Sequence, residues 1–165
     1  MSAAPQSELP ASAHDFDFIH GSWAVRHRRL KDRLTGSTDW QTFGGSMVAE
    51  PILGGLGNFD QNEIDLPGER YLACTLRLFD PRTALWSLRW IDGRDPQVDP
   101  PVIGGFSDGV GLFYGSDTLD GRAITVRFRW SDITGSSARW EQAFSADGGA
   151  NWEVNWVMEF SRTGR

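Results

Sequence analysis

The sequence predicts an all-β protein: a single antiparallel meander of about ten strands closed into a barrel. Three observations point there. Apolar and polar residues alternate with a period of two along most of the chain, as in strands with one buried and one wet face. Short turn signals separate the alternating runs, so neighbouring strands pair as hairpins. No run carries a helical period long enough for a helix of ordinary length.

Taken in order, "MSAAPQSELPASAHD" is rich in Ala, Ser and Pro, and residues 1–14 are expected to form a flexible arm. Residues 15–165 are the barrel domain, with a short turn of helix near 15–20 plugging one end. Gly21-Ser22-Trp23 opens the first strand, "AVRHRRL". With Trp23 inward, alternation sends Val25, His27 and Arg29 inward and Arg26 and Arg28 outward. Gly54-Gly55-x-Gly57 precedes no helical pattern and marks a bend or bulge rather than a nucleotide site. In "YLACTLRLF" the residues Leu72, Cys74, Leu76 and Leu78 share one apolar face. In "LWSLRWID" Trp86, Leu88 and Trp90 do, and in "AITVRFRW" Ile124, Val126, Phe128 and Trp130. In "WEVNWVMEF" Trp152, Val154, Trp156, Met158 and Phe160 oppose Glu153, Asn155 and Glu159.

The turns lie at 34–36, 66–68, 80–83, 107–109, 120–121 and 146–149. Gly supplies positive φ there, and Asp bonds its own backbone. The last turn, Ser145-x-Asp147-x-Gly149-x-x-Trp152, resembles the Asp-box hairpin of sialidases. A single copy marks a well-made hairpin, not a propeller blade. So many strands must deal with their edges, and closure removes edges altogether. A sandwich needs longer crossing connections, and only 91–105, "IDGRDPQVDPPVIGG", could supply one.

Composition narrows the function. Formal net charge is −6, and "RHRRLKDR" (26–33) is the only basic cluster. Nucleic-acid binders concentrate positive charge on one surface to neutralise phosphates, so no nucleic-acid partner is expected. No apolar run reaches the ~18 residues of a membrane span, and the opening residues do not read as a secretory signal. The lone cysteine, Cys74, makes no internal disulfide. A cytoplasmic location and no membrane partner are expected.

Gly21-x-Trp23 at the start of the first strand resembles the Gly-x-Trp of lipocalins and the wider calycin group. There the Trp closes the barrel floor and an Arg near the end of the last strand packs across its ring. The final strand here ends "MEFSRTGR", so Arg162 is the matching position. A guanidinium over an indole gains cation–π attraction when partly desolvated. "DFDFIHGSW", "DPPVIGGFSDGVGLFYG" and "RWEQAFSADGG" are similar to a bacterial lipocalin-like family of unknown function, over about residues 15–162. The resemblance implies a lipocalin-like barrel and brings no activity with it. The lipocalins' Thr-Asp-Tyr signature and disulfide have no counterpart here.

The candidate ligand site follows from the inward faces. Trp86, Trp90, Trp130 and Trp156 are expected as aromatic walls, with His27 and Arg29 as the polar anchor. Phe128, Trp140, Phe144 and Trp152 fall on the same inward face. Arg29 suits a carboxylate, by two parallel bonds, and His27 a proton near neutral pH; both also suit internal pairing. Asp92 and Arg94, in "DGRDP", are expected at the barrel mouth, as a site or as a salt bridge that stiffens the loop. Gly21, Trp23 and Arg162 are structural. Arg127 and Arg129 are expected to pair with Glu141, Glu153 and Glu159 on the wet surface. His14, Asp15, Asp17 and His20 are close in sequence, but zinc needs three or four fixed ligands, so no metal is expected. Nitrobindin-like barrels hold haem through a His on a late strand; this chain has none after His27, and no cofactor is expected. The leading function is binding of a small apolar or aromatic molecule inside the barrel. The alternatives are a barrel enzyme (cyclase, isomerase or hydrolase) using His27 with a mouth carboxylate such as Asp92, and an interaction module with no cavity that forms a homodimer.

Overall fold

The structure, a computed structural model, describes residues 9–165. Eleven strands follow one another: β1 (Gly21–Leu30), β2 (Trp40–Ile52), β3 (Gly57–Leu66), β4 (Glu69–Asp80), β5 (Leu85–Asp92), β6 (Asp95–Val98), β7 (Val102–Ser107), β8 (Val110–Leu119), β9 (Arg122–Ser131), β10 (Ser137–Ser145) and β11 (Glu153–Gly164). All pairings are antiparallel, and β11 returns to β1. Ten strands form a closed meander. The eleventh, β6, is a short flap that folds back onto β5 and stands outside the cycle. The stretch 91–105 makes no crossing, because β5 and β7 are direct neighbours. Among the described residues, no helix is long and apolar enough to cross a membrane.

The two ends differ in what fills them. The connections 53–56, 81–84, 108–109 and 132–136 gather at one end. The connections 31–39, 67–68, 93–101, 120–121 and 146–152 gather at the other. The first end is closed by the segment before β1, which makes two 3₁₀ turns, Ala11–His14 and Asp17–Ile19. The arm expected over 1–14 therefore divides. Residues 1–8 lie outside the described residues, whereas 9–14 pack on the barrel, with Ala13 buried and the Trp86 indole N–H donating to the Ser12 carbonyl at 3.0 Å. An apolar Ala and a backbone acceptor are what hold it there.

Phe16 is the plug. It is fully buried, with ring centroids 5.0 Å from Trp86, 4.9 Å from Phe106 and 5.6 Å from Phe113. Trp23 lies beside it, its indole N–H donating to the Ile19 carbonyl at 2.8 Å. Trp23 and Arg162 are partners across β1 and β11, and the guanidinium sits 4.2 Å over the indole. That guanidinium also donates to the carbonyls of His20 (2.6 Å), Phe18 (2.6 Å) and Gly135 (3.0 Å). One side chain thus ties the last strand, the plug and the β9–β10 connection together. Gly21 has φ +114°, and a Cβ there would stand 2.6 Å from the Gly164 carbonyl oxygen and 2.8 Å from an Arg162 nitrogen. No other residue fits that corner.

Two strand faces depart from the expected alternation. On β4 the inward set is Tyr71, Ala73, Thr75, Arg77 and Phe79, while Leu72 is 60% exposed. Arg77 can face inward because Asp60 on β3 pairs with it at 2.6 Å, Asn58 accepts a bond at 2.9 Å, and Asn62 and the Thr75 N–H both donate to Asp60 at 2.8 Å. A buried ion pair needs further hydrogen bonds of this kind to offset its desolvation; the Arg77 Nε is left without a partner. On β11 the register shifts opposite Gln142 and Ala143, leaving Asn155 as an extra, fully buried residue that accepts from the Gln142 amide at 2.9 Å. That bulge turns Trp152 outward, against Tyr114 and under the Arg127 guanidinium (4.5 Å). On the wet surface Arg129 pairs with Glu141 and Arg139 with Glu159, each at 3.0 Å. Ser145, Asp147 and Asn151 form the bonded turn of the last hairpin, which holds the Asp147 carboxyl down at about 2.

Candidate functional site

The interior is packed from the closed end to its middle and hollow beyond. Above the plug lies the Asp60–Arg77 network, with a void of about 20 Å³ against Trp90, Trp130, Trp140 and Met158. Above that the barrel opens into a cavity of about 330 Å³. Pockets for small molecules run from about 300 to 1,000 Å³, so this one suits a compact ligand.

Its apolar walls come from β5, β7, β9, β10 and β11: Trp90, Val102, Ile124, Val126, Phe128, Phe144 and Trp156. Trp90 and Trp156 meet edge to face at 5.6 Å, and Trp140 braces Trp156 from below at 5.6 Å. Strand alternation places them, since each occupies an inward position of its strand. Of the four expected wall tryptophans, Trp90 and Trp156 line this cavity. Trp86 and Trp130 belong to the packed half, where Trp86 meets Phe16 and Phe79. Trp130 touches only the small void, and its indole N–H has no partner.

Of the two expected anchors, Arg29 reaches the cavity and His27 does not. His27 is fully buried, stacked on Phe43 at 4.8 Å, and its Nδ1 accepts the Trp156 indole N–H at 3.1 Å. Burial first, and the Arg29 charge second, push its pKa down to about 4. It is therefore a neutral imidazole, with the proton on Nε2. It stands behind Trp156 and not on the cavity wall, and nothing joins it to Asp92. The general acid–base role foreseen for that pair has no geometry to serve it.

Arg29 lies 4.6 Å over the Trp156 ring, and its Nε is buried without a hydrogen-bond partner. Burial, then the neighbouring Arg33, weakens its hold on the proton. Arg33 also lines the cavity, its guanidinium 5.6 Å from the Phe144 ring. Among the described residues neither has an ion-pair partner. Arg94 is different. It pairs with Asp92 at 2.8 Å and Glu69 at 3.3 Å and lies 3.6 Å over Tyr71. Burial raises the Asp92 carboxyl, but the Arg94 bonds outweigh it and leave the pKa below the ordinary value. The mouth pair expected from "DGRDP" is thus a locked salt bridge on the rim.

Phe144 lines the cavity from the inward face expected of it, whereas three lining groups gave no sign in the sequence of belonging together: Arg33, Asp99 and Asp117. Asp117 follows Gly111, Phe113 and Gly115 on the inward face of β8, an alternation that could have been extended to it. Asp99 comes from the loop after β6, at the exposed rim. Burial on its cavity side, then repulsion from Asp117, Asp92 and Asp95, raises its carboxyl to about 6. Among the described residues no group of three or more His, Cys, Asp and Glu side chains stands placed to hold a metal ion. His14 instead bonds Asp17 at 2.8 Å.

The sequence matches no protein-family profile, and no curated protein matches it significantly. A solved structure is similar in fold: an S-type phycobiliprotein lyase from Guillardia theta, 9% identical, superposing over 89% of each chain with a TM-score of 0.58. At that identity the likeness shows a shared lipocalin-like barrel and no more.

Proposed function

We propose that this barrel binds a small apolar or aromatic molecule in its open-end cavity. The observation that carries this is the cavity itself, about 330 Å³ walled by Trp90, Trp156, Phe128 and Phe144, with the unpaired guanidinium of Arg29 on its side. A barrel that needed no ligand could fill this half with side chains, as it fills the other. The ligand's ring stacks on Trp90 and Trp156 and its polar end meets Arg29. His27 serves from behind, holding Trp156 in place through the indole bond. The reading includes a cytoplasmic protein with no nucleic-acid or membrane partner. The structural neighbour is named as a lyase; the barrel alone is common to both chains, so the activity is not carried over.

Native mass spectrometry of protein purified from its own host should show a bound small molecule. Titration with aromatic acids and short fatty acids should quench tryptophan emission saturably, and Trp90→Ala should remove most of the response. Unchanged emission across the whole panel, with no co-purified molecule, would overturn the proposal.

A further inference from the structure

Apart from the Asp92–Arg94 pair and Asp95 on the rim, the cavity's charged groups are sorted by side. Arg29 lies near the end of β1, and Arg33 is in the connection that follows it. Asp117 is on β8, and Asp99 precedes β7. Around the cylinder the order is β1, β11, β10, β9, β8, β7, β5, β4, β3, β2, which puts β7 and β8 nearly opposite β1. Two cations thus face two anions across the hollow. Among the described residues none of the four has an ion-pair partner. By contrast, Asp60 pairs with Arg77 in the barrel below and Asp92 with Arg94 on the rim.

We propose that the cavity selects a bipolar ligand: a compact aromatic body with an anionic group seated on Arg29 and Arg33 and a cationic group seated between Asp99 and Asp117. The inference rests on the open end being a ligand site and names its ligand class. An anion alone would satisfy the guanidinia and leave the carboxylates repelling one another. A cation alone would do the reverse. A molecule charged at both ends removes both repulsions, and its ring falls between Trp90 and Trp156. After burial, the like-charged crowding by Asp117, Asp92 and Asp95 is what raises the Asp99 carboxyl.

The test uses 4-(aminomethyl)benzoate and 4-(2-aminoethyl)benzoate, which differ in span, against 4-methylbenzoate and 4-methylbenzylamine, which each keep one pole. Binding is followed by calorimetry and tryptophan emission in the full-length protein. At least one bipolar compound should bind about tenfold or more tighter than either single-pole analogue, as a charged hydrogen bond gained at the second pole implies. Arg29→Gln should weaken the bipolar compound and 4-methylbenzoate together, whereas Asp117→Asn should weaken the bipolar compound and spare 4-methylbenzoate. Unchanged circular dichroism shows that each variant is folded. If 4-methylbenzoate or 4-methylbenzylamine binds as tightly as the bipolar compounds, the bipolar class is wrong and the binding site stands. If none of the four binds, the proposal falls, and the aromatic-acid and fatty-acid titration tells whether the site falls with it.

Discussion

The closed and open ends of this barrel use the same residue types to opposite purpose. At the closed end, Arg162 lies on an indole and donates to three carbonyls, one from each of its nitrogens. At the open end Arg29 also lies on an indole, 4.6 Å from Trp156, yet it has no ion-pair partner and a buried Nε without an acceptor. Cation–π stacking is common to both, so stacking alone does not mark a site. Unmet bonding capacity on the wall of a ligand-sized hollow does, because a ligand can there relieve the cost of an unsatisfied buried donor; the unpartnered Trp130 indole and Arg77 Nε meet only a void of about 20 Å³.

The largest expected effect tests whether the two ends differ mechanically. Trp23→Ala removes a fully buried ring that cannot be replaced by solvent and should cost about 3–5 kcal/mol. Trp90→Ala removes a partly buried ring from the wall of a hollow and should cost about 1–2 kcal/mol, since less burial is lost. Urea unfolding of both variants measures the gap. Equal losses would mean that the open end is packed as tightly as the plug, and the contrast would fail.

His27, at the boundary between the ends, should give the next largest effect, and it appears as a pH dependence. Its folded pKa of about 4 lies below the ordinary 6.5 because burial disfavours the imidazolium. The unfolded chain therefore takes up the proton first, and stability is lost as pH falls from 6.5 towards 4, by about 3 kcal/mol over the window. His27→Phe should flatten that slope while weakening the hold on Trp156. Denaturant midpoints measured from pH 4 to 7 check it; a wild-type midpoint that stays level would show an imidazole open to solvent.

How much of this was legible in the sequence depends on how strictly each strand alternates. β1 does so strictly, and Trp23, Val25, His27 and Arg29 all face inward. Pairing Gly21-x-Trp23 with Arg162 located the seam, because a glycine corner and a stacked cation leave a local mark. β4 misled because its leucines coat the outside, while Arg77 faces inward only by virtue of Asp60, 17 residues earlier. Such a pair is invisible until the two strands are in register. Trp152 misled because one extra residue, Asn155, reverses the side on which all earlier side chains emerge. Arg29 was legible as inward. Its lack of a partner, and its opposition to Asp99 and Asp117, depend on the circumference of the closed barrel, which no local pattern encodes.

Arg29→Leu separates stability from binding at a single position. The substitution removes a desolvated charge that Arg33 and Arg94 repel. Replacing a poorly satisfied buried charge by an apolar group is often neutral or favourable, so stability should stay level or rise by up to about 1 kcal/mol. Affinity for aromatic acids should fall at the same time. A large loss of stability would mean that Arg29 holds the barrel together as Arg162 does, and the two ends would no longer differ in kind.

The smallest effect belongs to Asp99, and its sign is opposite to that of His27. Its carboxyl titrates near 6 in the folded chain, above the ordinary 3.8, so between those values the folded state holds the proton more firmly than the unfolded one. Stability is then lost as pH rises from about 4 through 6, and the loss is complete above that. Because the side chain stands at the exposed rim, solvent screening limits the effect to less than about 1 kcal/mol. Asp99→Asn should abolish the slope and raise the urea midpoint slightly at pH 7.5 without altering it at pH 4. A cationic group seated beside Asp117 should do the same to wild type by lowering the Asp99 pKa, and NMR titration of that carboxyl reads the shift directly. A carboxyl titrating near 3.8 with the cavity empty would mean that the acidic wall carries no unmet charge, and the open end would keep only its cationic side.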